Sequence, residues 1–166
     1  MSVDVTRRAG MRLHLWYFAS GNSGLRLAAA SPRPGSPVRR DEIWRNSCCE
    51  LFIRAGHGYY ELNFAPNGDW AAYHFTGYRE GRTMPELVSP VVESHRRGDA
   101  WHLQARVDLS GLDGIDPQGP WALALSAVVD AKNGDVSYWS LAHPTDKPDF
   151  HHPGSFLLTL PPLEPA

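Results

Sequence analysis

Apolar and polar residues alternate with a period of two through most of the chain, the spacing of half-buried strands. The alternation predicts strands over residues 11–19, 25–30, 48–55, 59–65, 70–76, 87–95, 101–109, 121–130, 136–141 and 156–160. Turn-forming clusters separate them: Gly56-His57-Gly58, Pro66-Asn67-Gly68-Asp69, Arg97-Gly98-Asp99 and Asn133-Gly134-Asp135. Residues 31–37 form a Pro-rich loop too short to link separate domains, and one short helical turn is expected within 108–116. Many short strands at such spacing predict an all-β fold, an antiparallel β-sandwich of immunoglobulin-like or jelly-roll type. The whole chain, 1–166, reads as a single domain with its core at about 11–160.

Register sorts the side chains further. A four-residue loop at 55–58 pairs Arg54 with Tyr59, Phe52 with Glu61 and Glu50 with Asn63. A two-residue Asn67-Gly68 loop pairs Ala65 with Trp70, Asn63 with Ala72 and Glu61 with His74. Together the hairpins put Cys49, Leu51, Ile53, Tyr60, Leu62, Phe64, Ala71, Tyr73 and Phe75 on a core face. The opposite face then carries Glu50, Phe52, Arg54, Tyr59, Glu61, Asn63, Trp70 and His74. In the 101–109 strand, Trp101, Leu103, Ala105, Val107 and Leu109 point inward, with His102, Gln104, Arg106 and Asp108 outward. Residues 121–130 are apolar on both faces and read as a central, covered strand.

Composition narrows the class. With 166 residues there is room for one well-buried core. The 15 glycines and 14 prolines favour many turns, while six Trp, six Tyr and six Phe with only 20% charged residues argue against disorder. A net charge of −2 and a pI near 6.4 lack the basic footprint of a nucleic-acid binder. No apolar run has the length of a membrane helix, and the first residues show no secretory signal, so a cytoplasmic location is expected. Cys48 and Cys49 are adjacent, which favours two reduced thiols over a strained vicinal disulfide.

Candidate chemistry gathers in three places. The mixed face offers aromatic plates for the C–H face of a sugar beside Glu, Asn and Arg groups that bond hydroxyls. The same pattern also suits a solvated outer sheet face with scattered aromatics. A second cluster follows Ser137-Tyr138-Trp139-Ser140: of the eight histidines, His143, His151 and His152 fall close to Asp146, Lys147 and Asp149. That segment reads as a binding loop, as a metal site built on His143, Asp149 and His151, or as structural capping of strand ends. Trp44-Arg45 and Tyr78-Arg79-Glu80-Gly81 are aromatic–Arg pairs placed to close the rim of the mixed face. Glu50 and Glu61 stand near enough on neighbouring strands for an acid–base pair, but no G-x-S-x-G, P-loop, G-x-G-x-x-G or H-E-x-x-H motif is present.

The order Trp44-Arg45-Asn46-Ser47-Cys48-Cys49-Glu50-Leu51-Phe52-Ile53, then Tyr59-Tyr60-Glu61-Leu62-Asn63-Phe64 leading into Pro66-Asn67-Gly68-Asp69-Trp70, resembles the DOMON-like domains related to family-nine carbohydrate-binding modules. The Trp121 strand, Tyr138-Trp139-Ser140 and the closing Asp149-Phe150-His151 segment extend the resemblance over about residues 11–160, and it is most similar to small stand-alone bacterial members. The resemblance implies a β-sandwich that binds a sugar or, in other branches, haem held by a Met and a His, for which Met84 is the available methionine. It also implies stacking of a sugar on Trp44, Trp70, Tyr78 or Trp139.

The expected function is non-catalytic binding of a small molecule or glycan, chiefly a carbohydrate or sugar derivative, with no nucleic-acid or membrane partner. Haem or metal binding, and an enzyme acting on a sugar derivative through Glu50 and Glu61, are the alternatives. Trp70 and Trp139 serve as plates, Glu50, Glu61 and Asn63 as hydroxyl partners, and Arg79, Lys147 and His151 as anchors for an anionic group. Trp44, Tyr78, His143 and Asp149 complete the candidate site.

Overall fold

The computed structural model describes residues 1–21, 38–131 and 133–164. The strand expected at 25–30 and the Pro-rich loop lie outside those residues. In chain order the strands are β1 (Ser2–Arg8), β2 (Arg12–Ala19), β3 (Cys48–Ala55), β4 (Gly58–Phe64), β5 (Trp70–Phe75), β6 (Val91–Arg97), β7 (Ala100–Asp108), β8 (Trp121–Asp130), β9 (Val136–Ser140) and β10 (Leu158–Leu160). A four-stranded sheet runs β1-β2-β7-β6. A six-stranded sheet runs β10-β8-β3-β4-β5, with β9 also paired to β8. Every strand pairing is antiparallel, as the sandwich expectation requires.

The main core lies between the sheets. Alternation sends Leu13, Leu15 and Tyr17 from β2, and Trp101, Leu103, Ala105 and Val107 from β7, against Cys49, Leu51, Ile53, Leu62 and Phe64. Each such large side chain contributes about 1.5–3 kcal/mol by leaving water. The Tyr17 hydroxyl crosses that core and donates to the Glu50 carbonyl at 2.7 Å. β8 is buried along both faces, Leu123, Leu125 and Ala127 in the inter-sheet core and Ala124 and Val128 on the outer side, while β3 flanks one edge and β9 and β10 share the other. Cys48 and Cys49 are free and buried on opposite faces of β3, one in each hydrophobic cluster.

Three features depart from the sequence expectations. β1 is a full strand that the charged Arg7-Arg8 pair conceals. Asp108 ends β7, and residues 109–116 contain turns and no helix, such as Leu112 N–H to the Leu109 carbonyl at 3.0 Å. The third is the β4–β5 register, which slips by one residue: Phe64 pairs with Trp70, Asn63 with Ala71 and Glu61 with Tyr73. The turn has three residues, Pro66-Asn67-Gly68, not two. Gly68 N–H closes it onto the Ala65 carbonyl at 3.0 Å, Gly68 takes φ 90°, and Ala65 N–H then bonds the Asp69 carbonyl at 2.8 Å. Asn67 Oδ1 accepts from Asp69 N–H at 3.1 Å and holds the turn. An odd loop reverses the parity of the whole strand. Trp70 therefore packs inward, 3% exposed, while Ala71, Tyr73 and Phe75 join Glu61 on the outer face.

That outer face is not open to solvent. Ile43, Cys48, Phe52, Tyr59, Ala71, Tyr73, Phe75, Ala124, Val128 and Phe150 form a second hydrophobic cluster over it. Two segments provide the cover. One is the short 3₁₀ turn Ile43–Arg45, entered through Glu42 at φ 58°. The other is the stretch between β9 and β10. Those two strands occupy one lane beside β8, β9 along residues 126–130 and β10 along 121–123. Residues 142–157 leave the lane between them, placing Phe150 in the outer cluster with Phe156 packed against it.

Candidate functional site

Side chains alternate along each strand, so crossing the outer face meets two rows. Ser126 of β8, Glu50 of β3, Asn63 of β4 and Ala71 of β5 are neighbours in one. Ala124, Phe52, Glu61 and Tyr73 form the next. Glu50, Glu61, Asn63 and Ser126 are all at most 5% exposed, a rare density of buried polar groups. They satisfy one another: Ser126 Oγ donates to Glu50 Oε2 at 3.0 Å, and Asn63 Nδ2 donates to Glu61 Oε1 at 2.7 Å. Asn63 Oδ1 is buried without a hydrogen-bond donor.

A cavity of about 620 Å³ opens above this floor. Trp44, Tyr73, Phe75, Tyr138 and Phe150 wall it, Glu50 and Glu61 reach it from below, and Arg45, Arg79, Arg82 and His151 line it with cationic or ionisable groups. Trp44 meets Tyr73 edge-on, with centroids 5.3 Å apart. The Tyr73 hydroxyl donates to Asp41 and accepts from Glu42 N–H, which pins the covering turn to β5.

Electrostatics at the floor are governed by burial. Desolvation raises Glu50 well above the ordinary carboxyl range, the neighbouring Glu61 raises it more, and the Ser126 hydroxyl offsets part of this. Burial likewise raises Glu61, against the opposing pull of Asn63, Arg79 and Arg82. His151 lies between them and the loop: its Nδ1 is 2.8 Å from the Tyr59 hydroxyl and its Nε2 is 3.6 Å from Glu61 Oε2. Desolvation, helped by Arg79, lowers His151 to about 4 and keeps it neutral at pH 7.

The rim is set by a fold-back of the chain after β5. His74 and Thr83 exchange both backbone hydrogen bonds at 2.9 Å, so residues 76–83 double over and bring Arg79 and Arg82 to the mouth. Arg79 adopts φ 57°; its backbone N–H donates to the Tyr59 hydroxyl at 3.2 Å and its guanidinium bonds Asp149 at 2.8 Å. Tyr78 also donates to Asp149, at 2.5 Å. Burial alone would raise Asp149, but the bonds from Tyr78 and Arg79 outweigh it and hold the carboxylate below its ordinary range.

The structure thus brings Trp44, Glu50, Glu61, Arg79 and His151 to one cavity, with Asn63 beneath and Tyr78 and Asp149 fixing Arg79. Two aromatic plates are corrected. Trp70 lies in the main core, against the Arg39 guanidinium at 5.2 Å, because of the shifted turn. Trp139 pairs with Ala127 and therefore points to the other side of the sheet, where it lines a small cavity of about 190 Å³ with Met1, Val3 and Tyr17. His143 and Lys147 are exposed on the loop and outside the cavity lining. His151 does line the cavity, where burial favours its neutral form. His143, Asp149 and His151 do not converge: among the described residues no group of three or more His, Cys, Asp or Glu is placed to hold a metal. Met84 is half-exposed and also outside the lining.

Sequence reasoning missed Tyr73, Phe75, Arg82, Tyr138 and Phe150. The Pro-Asn-Gly triplet carried the signal for the first two, since Pro before Asn-Gly suits a type I turn closed by a left-handed glycine. Tyr138 follows from parity alone, since it faces Val128 across the β8–β9 pair.

Two antiparallel sheets with one outer face roofed by loops define a β-sandwich with a lateral cavity. This chain is similar to a solved structure from Bacteroides uniformis, a protein for which carbohydrate binding has been suggested. The TM-score is 0.63 at 15% identity, over 93% of this chain and 74% of the other, a likeness of fold. No known family profile matches the sequence, and no curated protein is significantly similar to it.

Proposed function

We propose that the protein is a non-catalytic, DOMON-like binding domain that takes a carbohydrate or sugar derivative into the roofed cavity. One observation carries this reading: aromatic walls enclose a cavity of about 620 Å³ over a floor of buried Glu50 and Glu61, held from beneath by Ser126 and Asn63. A ring lying against Trp44 and Tyr73 directs its hydroxyls down to groups that both donate and accept. The sandwich shared with the Bacteroides uniformis protein agrees with it, as does the resemblance of the Trp44–Phe64 segment to sugar-binding modules.

Binding is tested by titrating mono- and disaccharides while following Trp fluorescence, to which Trp44 contributes at the cavity wall. A saturable change that Tyr138→Ala weakens at least about tenfold, roughly 1.4 kcal/mol, is the expected result. A silent titration across a broad glycan panel rejects the reading. If a bound sugar is instead converted to product, and Glu50→Gln or Glu61→Gln abolishes turnover, the enzyme alternative replaces it.

A further inference from the structure

Three guanidinium groups line the cavity, and their counter-charges do not balance inside it. Arg79 is paired to Asp149 and Arg45 to Glu42 at 3.0 Å, while Asp41 accepts from the Tyr73 hydroxyl. All three of these acids sit outside the lining. Arg82 makes no ion pair among the described residues; its guanidinium rests 5.4 Å from the Tyr73 ring centroid, pointing a cation across the wall of the site. The acids that do reach the cavity, Glu50 and Glu61, lie at its floor, and burial favours their protonated forms. Burial lowers the remaining ionisable side chain of this set, His151, to about 4. The cavity therefore has its carboxyls below, where burial raises both, and guanidiniums at the mouth.

Resting on the carbohydrate reading, we propose that the occupant is an acidic sugar, a polyol ring bearing one carboxylate, sulfate or phosphate, whose anionic group is bound by Arg82 together with Arg79 while its hydroxyls meet Glu50 and Glu61. Arginine suits this role because its planar donors engage two oxygens of such a group at once. An amino sugar would set a fourth cation beside the three guanidiniums. A neutral sugar would bring Arg82 no anionic group to pair with.

The test is calorimetric titration with matched pairs at pH 7 and about 50 mM salt, where charge contacts are weakly screened. The pairs are glucose with glucuronate, galactose with galacturonate, and glucose with glucose 6-phosphate, with glucosamine as the cationic control. The acidic member of at least one pair is expected to bind at least about tenfold tighter than its neutral partner. In Arg82→Gln that ratio falls to about twofold or less, and in Arg82→Lys, which keeps the charge without the fork, it is intermediate. Arg82 is exposed, so an unchanged circular dichroism melt accompanies both variants. Equal binding within every pair, a preference for glucosamine, or an acid preference that survives Arg82→Gln overturns the proposal while leaving sugar binding in place. Binding of none of the sugars overturns both.

Discussion

Glu50 is 3% exposed, stands opposite Asn63 on β4, and accepts a hydrogen bond from the Ser126 hydroxyl. Its carboxyl titrates above the ordinary 4.5 when the chain is folded. The folded state therefore keeps a proton that the unfolded chain has released, and the associated stability is full below pH 4.5 and lost as pH climbs through the raised value. His151 acts in the opposite sense. With a folded value of about 4 against an ordinary 6.5, its contribution is full above pH 6.5 and lost as pH falls toward 4. Thermal stability is accordingly expected to peak at mildly acidic pH and to decline from pH 6 to 9. Glu50→Gln removes the charge that high pH creates and offers an N–H beside the unpaired Asn63 Oδ1. The variant is expected to melt higher than the wild type at pH 9, by roughly 2–4 °C per kcal/mol recovered, and to show a flatter alkaline limb. A variant that melts lower than the wild type at pH 9 would show that ionised Glu50 stabilises the fold.

At the scale of strands, the β3–β4 hairpin was fully legible. Its pairs, Arg54 with Tyr59, Phe52 with Glu61 and Glu50 with Asn63, occur as the tight loop dictates. The β4–β5 hairpin was not, because reading Asn67-Gly68 as a two-residue turn overlooked the contribution of Pro66, and a one-residue slip exchanges the two faces of a strand. The same error cost Tyr73 and Phe75 their place at the site and gave it to Trp70. The roof was hidden for another reason: no periodicity marks where residues 142–157 settle once they leave the sheet, nor that the chain after β5 folds back to deliver Arg82. One position tests how tightly β4 and β5 are held. A Cβ at Gly58 would collide with the backbone carbonyl of Phe75, which cannot rotate away as a side chain tip can. Gly58→Ala is expected to cost about 2 kcal/mol or more in urea unfolding and to loosen the Tyr59–Phe75 stack, now at 5.0 Å between centroids. A loss below about 0.5 kcal/mol would mean that the strand ends yield without strain.

Across the whole molecule, the two sheets are joined not only by the apolar core but by one buried cation. Arg7 leaves β1 on the edge of the first sheet and is 8% exposed. Its Nη1 donates to the Gly119 carbonyl at 2.7 Å and to Pro161 at 3.1 Å, and its Nη2 donates to Pro117 at 2.7 Å. The guanidinium also lies 3.6 Å from the Trp121 ring centroid. Those carbonyls belong to the chain just before β8 and just after β10, which the antiparallel pairing brings side by side, so Arg7 fastens the first strand to one end of the β8–β10 pair. Among the described residues no ion pair neutralises it; burial lowers its affinity for the proton, Asp116 offsets this, and carbonyl dipoles with the indole face take the place of a counter-charge. In sequence the residue reads as part of a basic N-terminal pair, since three carbonyls distant along the chain leave no local signature. Arg7→Ala strands those carbonyls and removes the cation–π contact, with an expected loss of about 3 kcal/mol at an unchanged urea m-value. Arg7→Lys restores only part of it, because a point charge cannot serve three acceptors laid out for a planar fork. If Lys restores full stability, the clamp works through charge alone; if Ala costs nothing, the sheets are held by the core and Arg7 merely fills the gap.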